Sequence, residues 1–375
     1  MGPGQRAGRE LKLEFRCPQC GPAAPDQLAL CPACRGLLEP APRPIASVGE
    51  VVPRSDPGIW AWGHLLGLDP DERPLTLGEA GVPLLDLHRW GARFGFGSCQ
   101  TMLEYHSPSG SFKDRGALLT AWRLRRSGFA GLVEDSSGNA GAALAAYCAA
   151  AGLECHIFAP GRADPPKLAQ IQAYGARVTV VPGPREAARD RAIAAAGAPG
   201  SVYASHVRDP GFLLGMKTFA YDLVWHRGGE FPDHIVFPTG NGGLLLGTFL
   251  ALVDMSGLPG AESVRLHAAQ AEVCAPLAGH DAAGTAGTIA SGIAVAAPER
   301  IGQIKAALAA RGGDVVTVSD NEIKQARADL AVHEGVYVEP TAAAGFAAAV
   351  QMVRAGLIGP GESVVIPATG TGLKA

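Results

Sequence analysis

Short apolar runs alternate with helix-length, alanine-rich windows along most of this chain, and this alternation restricts the fold more than any other feature. The first series of strand-like runs lies at 131–134, 155–158, 177–181 and 201–204, and the second lies at 234–237, 264–268, 315–318 and 363–366. Strands that alternate with helices in this way predict parallel sheets covered by helices on both faces. We therefore predict an α/β protein with two doubly wound parallel-sheet lobes, whose ligands lie at the carboxyl ends of the strands.

The composition excludes several classes of function. The net charge is −3, which gives no electrostatic basis for binding nucleic acid or an anionic membrane. The polar, charged first residues do not resemble a secretory signal, and there is no run of about 18 apolar residues that could span a membrane. We expect a cytoplasmic protein with no nucleic-acid partner and no membrane partner.

Four of the eight cysteines, Cys17, Cys20, Cys31 and Cys34, form two Cys-x-x-Cys pairs. Pairs at this separation can present four thiolates tetrahedrally to Zn²⁺, and a segment too short for its own core gains stability from such a metal. The alternative is a flexible arm with four free thiols. We predict a structural zinc site in a small N-terminal segment at 1–40. The other four cysteines lie in apolar segments and are expected to be buried.

One lysine, Lys113, lies in the turn Ser-Gly-Ser-Phe-Lys-Asp-Arg at 109–115, before a helical window. Residues 103–105, which precede this turn, are consistent with a strand. A lysine at a strand-to-helix turn that projects into a crevice is a nucleophile suited to a Schiff base. The alternative is an ordinary surface lysine. We interpret the adjacent Asp114 and Arg115 as an ion pair that holds the turn.

A glycine-rich motif, Pro-Thr-Gly-Asn-Gly-Gly-Leu at 238–244, follows a strand and opens a helix. Glycines allow backbone N–H groups to approach an anion closely, and a helix N-terminus adds a favourable dipole. The motif lacks the ending of a P-loop. It is either a phosphate cradle or a glycine-rich turn without a ligand.

Two further polar motifs also follow predicted strands. Ser136 and Ser137 precede Asn139 in a Ser-Ser-Gly-Asn loop, where Asn139 is either a helix N-cap or an amide that binds a ring hydroxyl. In the second case the two serines would take a substrate carboxylate. Thr369 lies in an Ala-Thr-Gly-Thr-Gly-Leu-Lys run at 368–374, which is either a frayed tail or a narrow ligand site. We favour a ligand site for this run, because it comes directly after a strand.

The motifs occur in the order SGSFKDRGA, SSGNAGAALAAYCA, PTGNGGLLLG, TIASGIAVAAPER, EGVYVEPTAAA and PATGTGLK. Together they closely resemble the threonine synthase branch of the fold-type-II pyridoxal-phosphate-dependent enzymes, within the tryptophan synthase β-like superfamily. The resemblance covers about residues 85–375, and the two Cys-x-x-Cys pairs resemble a zinc-ribbon-like extension found on some of these proteins. The resemblance implies a large cofactor-binding lobe at 41–104 and 211–375 and a small mobile lobe at 105–210. It also implies that pyridoxal 5′-phosphate is the cofactor.

The resemblance also implies roles for individual residues. Lys113 would form the internal aldimine and carry protons, while Asn139 would hold the O3′ atom of the cofactor. The cofactor phosphate would be held by the backbone amides of Gly240, Asn241, Gly242, Gly243 and Leu244. Thr369 would face the pyridine nitrogen. A hydroxyl at this nitrogen leaves it neutral, which favours elimination over transamination. The residues implied to contact the amino-acid substrate are Ser109, Ser136 and Ser137.

The implied activity is the conversion of O-phosphohomoserine, or a related phosphorylated amino acid, to threonine and phosphate, with a homodimer as the implied assembly. Asp209 and Phe212 replace an asparagine and a phosphate-pairing arginine that are typical of this branch, and phenylalanine cannot bind phosphate. Arg208 is adjacent and could substitute. The alternatives are a serine/threonine dehydratase-like elimination and a β-replacement on an activated serine. A catalytically silent homologue is a further alternative, disfavoured by the intact Lys113 and Asn139.

Overall fold

The computed structural model describes residues 13–23, 30–56, 58–68, 75–161, 163–183, 185–197, 200–280 and 287–374. Parts of the predicted N-terminal segment, at 1–12 and 24–29, lie outside the described residues. Within the ranges described, no helix is both long enough and apolar enough to cross a membrane.

Strands and α-helices alternate over most of the described chain. In chain order, the described strands are β1 (Phe15–Cys17), β2 (Gly21–Pro22), β3 (Glu39–Pro40), β4 (Leu84–Asp86), β5 (Ser98–Met102), β6 (Gly131–Glu134), β7 (Glu154–Pro160), β8 (Arg177–Val181), β9 (Ser201–Tyr203), β10 (His234–Pro238), β11 (Arg265–Ala271), β12 (Val315–Val318) and β13 (Ser363–Val365). The described helices are α1 (Gly63–Leu66), α2 (His88–Phe94), α3 (Asp114–Arg126), α4 (Asn139–Ala151), α5 (Pro165–Ala173), α6 (Arg185–Ala195), α7 (Pro210–Met216), α8 (Thr218–His226), α9 (Gly243–Asp254), α10 (Ile301–Ala310), α11 (Asp320–Glu334) and α12 (Pro340–Arg354).

The strands form three sheets. The largest has the order β12-β11-β10-β13-β5-β4 and is parallel except for the antiparallel edge pair β4 and β5. A second sheet, of order β8-β7-β6-β9, is parallel throughout. A small antiparallel sheet has the order β2-β1-β3. The two parallel sheets, with helices between their strands, confirm the predicted doubly wound α/β class.

The chain divides into two compact units. The first contains the described residues up to Ala41 together with Gly63–Thr76 and Gly116–Leu214, and it holds the four-stranded parallel sheet and the small antiparallel sheet. The second contains Pro42–Trp62, Leu77–Arg115 and the described residues from Gly215 onward, and it holds the six-stranded sheet. The limits of the sequence-based lobes, and the mobility of the smaller lobe, stay predictions.

The core of the second unit is built on helix α12 and the six-stranded sheet. Gly345 permits their close approach, because a Cβ atom there would lie only 3.3 Å from the Val236 carbonyl oxygen. Trp90, which has no exposed surface, stacks on Phe96 at 5.1 Å and meets Phe346 edge-on at 5.7 Å. These apolar contacts stabilise the sheet whose strand ends carry several of the predicted motifs.

One local prediction is wrong. The stretch at 103–105, predicted as a strand, is not one: β5 ends at Met102, and a 3-10 helix follows at Glu104–His106. The Glu104 carboxylate in this helix accepts hydrogen bonds from the buried Arg115. Helices α7 and α8 are divided at Lys217, whose buried ammonium group pairs with Asp254.

Candidate active site

Lys113 lies in the turn that leads into helix α3, and this turn pairs with the segment after strand β13. Ser111 forms a β-bridge with Gly370, and the Phe112 N–H donates to the Thr369 carbonyl oxygen at 3.1 Å. The Lys113 side chain is half-buried, with its Nζ 4.3 Å from the centroid of the Phe112 ring. The structure thus brings together two predicted site residues, Lys113 and Thr369, that are far apart in the chain.

Asp114 holds the same turn from the inside. Its buried carboxylate accepts the Ser109 N–H at 2.6 Å and also accepts the Ser109 hydroxyl. Burial raises the pKa of Asp114 to about 7, against the lowering effect of the two hydrogen bonds from Ser109. Asp114 therefore fixes the start of the turn that carries Lys113.

The predicted ion pair between Asp114 and Arg115 is wrong. Arg115 instead donates from Nε and Nη2 to the two carboxylate oxygens of Glu104, each at 2.8 Å. Its Nη1 lies 2.7 Å from Asp222 and 2.9 Å from the Thr218 hydroxyl. Adjacent residues at a helix start point in different directions, so Asp114 and Arg115 reach different partners. No local pattern in the sequence indicates Glu104 or Asp222 as these partners.

The glycine-rich turn lies between strand β10 and helix α9. Gly242 has a φ of 72° and is the N-cap of α9, and no side chain caps this helix end. A Cβ atom at Gly240 would lie 2.9 Å from the Gly292 carbonyl oxygen, and one at Gly242 would collide with Ile304. The tight backbone and the uncapped helix start leave the amides of the turn suited to an anion.

The Thr369 hydroxyl is buried and has no hydrogen-bond partner among the described residues. The Ser111 hydroxyl, in the turn beside it, is also buried and without a partner in this part of the chain. A buried polar group left unsatisfied costs about 1–3 kcal/mol. Both hydroxyls are therefore suited to form a hydrogen bond with a polar atom of a ligand.

In the first unit, Asn139 is the first residue of helix α4 and Gly138 is the N-cap, with no side-chain cap. The helix follows strand β6, so the Ser136–Asn139 loop lies at a carboxyl strand end. The Ser136 hydroxyl accepts the Gly138 N–H at 3.4 Å, and Ser137 is half-buried. A Cβ atom at Gly141 would collide with the Ser136 carbonyl oxygen. The loop therefore lies tightly against the helix start.

Asp209 and Phe212, also in the first unit, face inward. The Asp209 carboxylate pairs with Arg123, and it accepts the Thr120 hydroxyl at 2.5 Å. Phe212 is 1% exposed and packs on Gly116, where a Cβ atom would lie 2.5 Å from the phenyl ring. These two residues are part of the interior of this unit, and neither offers a cation to a phosphate.

The neighbouring Arg208 has its guanidinium 5.8 Å from the centroid of the Tyr203 ring. Arg208 thus lies beside strand β9, which ends at Tyr203. It is the cation in this stretch that stands nearest in sequence to the replaced position, and its direction was not evident from the sequence.

The four N-terminal cysteines come together as the spacing predicts. One ligand atom from each of Cys17, Cys20, Cys31 and Cys34 lies within 4.8 Å of the others. The Cys17 and Cys34 sulfurs are 3.5 Å apart. The turn after the second pair is tight, because a Cβ atom at Gly36 would lie 3.2 Å from the Cys34 sulfur. Four converging thiols are a donor set suited to tetrahedral Zn²⁺.

The pyridoxal-phosphate dependent enzyme family matches residues 75–370. The threonine synthase of Methanosarcina acetivorans is 29% identical, over 96% of this chain and 92% of its own length. The threonine synthase of Halalkalibacterium halodurans is 31% identical, over 81% of this chain and 86% of its own length.

Two solved structures show the same fold. Maize serine racemase has a TM-score of 0.69 and 24% identity, over 78% of this chain and 88% of that chain. An L-serine ammonia-lyase from Rhizomucor miehei has a TM-score of 0.67 and 21% identity, over 78% of this chain and 94% of that chain. At these identities the similarity to the two structures concerns the fold alone. By its sequence, the chain belongs to the pyridoxal-phosphate dependent enzyme family, in which it is a lyase resembling the threonine synthases.

Proposed function

We propose that the protein acts as a threonine synthase, which converts O-phosphohomoserine, or a related phosphorylated amino acid, to threonine and inorganic phosphate. The carbon–oxygen bond to the phosphate breaks, and water adds to the carbon chain. The observation that carries the proposal is the backbone pairing that holds the Lys113 turn beside the Thr369 hydroxyl. The similarity to two threonine synthases supports the choice of reaction.

The residues present fit pyridoxal phosphate as the cofactor. The buried Thr369 hydroxyl, without a partner among the described residues, suits the ring nitrogen, and the uncapped turn at 240–244 suits the phosphate. When bound, the cofactor supplies an electron sink that makes the α-proton of an amino acid acidic.

The groups of the chain would have separate tasks in the second unit. Lys113 would bind the cofactor covalently through Nζ and move protons at the carbon atoms of the substrate. The Phe112 ring, 4.3 Å from Nζ, covers one side of this amine. The Ser109 hydroxyl donates to Asp114, and its oxygen would accept a hydrogen bond from the substrate.

In the first unit, we assign the remaining tasks to the loop before helix α4. Asn139 would hold the ring hydroxyl of the cofactor through its side-chain amide. Ser136 and Ser137 would bind the substrate carboxylate, together with the N–H groups of the uncapped helix start. A carboxylate at this position is favoured by the helix dipole.

A second candidate function is a dehydratase-like elimination from serine or threonine. The inward-facing Asp209 and the buried Phe212 favour it, because neither residue provides a cation for a phosphorylated substrate. An unphosphorylated hydroxy amino acid needs no such cation. β-Replacement on an activated serine would use the same groups.

One comparison of products separates these functions. Wild-type protein loaded with pyridoxal phosphate is incubated with O-phosphohomoserine and, separately, with threonine, with Lys113→Ala as the inactive control. Phosphate release with threonine formation supports the synthase. Release of a 2-oxo acid from threonine, with no phosphate release from O-phosphohomoserine, would reject the synthase in favour of the dehydratase.

We further propose that Cys17, Cys20, Cys31 and Cys34 bind a structural Zn²⁺ ion, which the converging sulfurs support. The small antiparallel sheet, with a core of few residues, would gain most of its stability from such an ion. We also propose that the protein is a homodimer, which light scattering would test.

A further inference from the structure

The segment at 369–374 forms a short ladder with the turn that carries Lys113. In addition to the pairing at Thr369 and Gly370, the Thr371 N–H donates to the Gly110 carbonyl oxygen at 3.1 Å. A side chain adds to this backbone pairing, because Lys374 Nζ donates a hydrogen bond to the Ser109 carbonyl oxygen. A lysine outside the catalytic turn thus reaches back into it.

Gly110 is the position that admits this lysine. It has a φ of +81°, and a Cβ atom there would lie 2.8 Å from Cε and 3.1 Å from Nζ of Lys374. A side chain at 110 would therefore meet both backbone strain and the Lys374 side chain. The glycine and the lysine fit each other in shape.

Ser109 is bound from two directions. Its N–H and its hydroxyl donate to Asp114, inside the turn, and its carbonyl oxygen accepts from Lys374, outside the turn. Burial raises the pKa of Asp114, and the Lys374 charge acts in the opposite direction. All three polar groups of Ser109 are therefore engaged, by the Asp114 carboxyl group and by the Lys374 ammonium group, and the bond from the ammonium group is of the stronger, charge-assisted kind.

We propose that Lys374 is a positioning residue that holds the Ser109–Phe112 stretch in place and thereby orients Lys113 toward Thr369. The proposal rests on the proposed function of Lys113 as the cofactor lysine. Lys374 does not itself touch the reacting atoms in this account. It acts through the Ser109 carbonyl group and through the fit at Gly110.

Amide hydrogen exchange on the protein without added cofactor tests the contact directly. Lys374→Met removes the donor at similar length, Lys374→Arg restores a charged donor, and Lys324→Met alters an exposed lysine on α11 as a control. A charge-assisted hydrogen bond contributes enough that its loss should speed exchange at 109–112 about tenfold. We expect this increase in Lys374→Met, recovery in Lys374→Arg and no change in Lys324→Met.

Two results would overturn the proposal. One is unchanged exchange at 109–112 in Lys374→Met. The other is an increase of the same size over both units, because that would indicate general destabilisation instead of a local role.

Titration with pyridoxal phosphate gives a second readout. Loss of orientation at Lys113 should weaken cofactor affinity about tenfold in Lys374→Met, with recovery in Lys374→Arg. Unchanged affinity in Lys374→Met would contradict a positioning role. Lys113→Ala separates this proposal from the proposed function: if that variant keeps the wild-type cofactor spectrum, the role of Lys113 fails, whereas the exchange result for Lys374 stands on its own.

Discussion

Arg115 and Glu104 form a bidentate ion pair in the interior of the second unit, with both N–O distances at 2.8 Å and neither side chain exposed. The remaining guanidinium nitrogen lies 2.7 Å from Asp222, which also accepts the Trp62 indole N–H at 2.6 Å. One cation, Arg115, thus balances two buried carboxylates. It directly follows Lys113 and Asp114 in the chain. These three charged side chains stabilise the end of the turn that carries Lys113 only while all three are present.

Replacing Arg115 by methionine should therefore destabilise the protein strongly. The substitution leaves Glu104 and Asp222 buried without a cation, and breaking such a pair costs about 3–5 kcal/mol. Urea unfolding measures the change, with Arg89→Met, at an exposed position of α2, as the control expected to stay within about 0.5 kcal/mol of wild type. Equal stabilities for the two variants would contradict a stabilising role of the pair.

The same residues show why part of this molecule follows from its sequence and part does not. The strand at 131–134 coincides with the apolar run there, because a parallel strand buried on both faces needs such a run. The partners of Arg115 do not follow from any local pattern, because Glu104 and Asp222 lie on other elements. The same holds for Lys374, whose partner Ser109 is brought near only by the fold.

The site shows the same division. Glycine-rich turns after strands indicated the stretch at 240–244, since turns of this kind have a local sequence signature. Asn139 was predicted to lie at a helix start, and it does, but the N-cap is Gly138. The inward direction of Asp209 depends on its contacts with Arg123 and Thr120. These two residues lie on helix α3, and all four strands of the second parallel sheet separate this helix from Asp209 in the sequence.

Gly242→Ala should weaken cofactor binding. The residue has a φ of +72°, where a side chain costs about 1–2 kcal/mol, and the new methyl group would meet Ile304. Relief of this strain moves the amides of the turn, so we expect affinity for pyridoxal phosphate, measured by absorbance titration, to fall about tenfold.

Gly302→Ala is the matched control for that substitution. Gly302 lies in helix α10, and a Cβ atom there has open space around it. Alanine should leave cofactor affinity unchanged and raise stability by about 0.5 kcal/mol. If Gly242→Ala binds the cofactor as Gly302→Ala does, the assignment of this turn to the phosphate is wrong.

A chain of two histidines should make stability fall in acid. The Asp314 N–H donates to Nδ1 of His267, so the neutral His267 ring carries its proton on Nε2. This Nε2 donates to Nδ1 of His234 at 2.9 Å. The Nε2 atom of His234 in turn donates to the Glu362 carboxylate at 3.0 Å. Burial lowers the pKa of His267 to about 3, from an ordinary value of 6.5. Between these two pH values the unfolded chain binds a proton that the folded chain does not, so stability is lost as the pH falls through this window.

The measurement is the free energy of unfolding at several pH values from 6.5 down to 4.5. The contribution of His267 should fall by up to about 1.4 kcal/mol per pH unit, and His267→Gln should lose this part of the dependence. His280→Gln, at an exposed position, should keep it. A wild-type slope in His267→Gln would show that this histidine is not responsible.

Cys20→Ser should remove a tightly bound zinc ion. Three thiolates cannot complete the tetrahedral set, so metal content measured by atomic emission should fall from stoichiometric to near zero. Cys274→Ala, which changes a buried cysteine of the second unit, should keep the metal. Two results would reject the zinc site. One is an equal zinc content in wild type and Cys20→Ser, and the other is wild-type protein that contains no zinc after purification without a chelator.

The most direct test of the central claim is to locate the cofactor on the chain. Protein loaded with pyridoxal phosphate is reduced with borohydride, digested, and its modified peptide is identified by mass spectrometry. We expect the cofactor mass on Lys113, with no modified peptide from Lys113→Ala treated in the same way. A cofactor attached to another lysine, or no attachment in wild type, would contradict the assignment of Lys113 as the cofactor lysine.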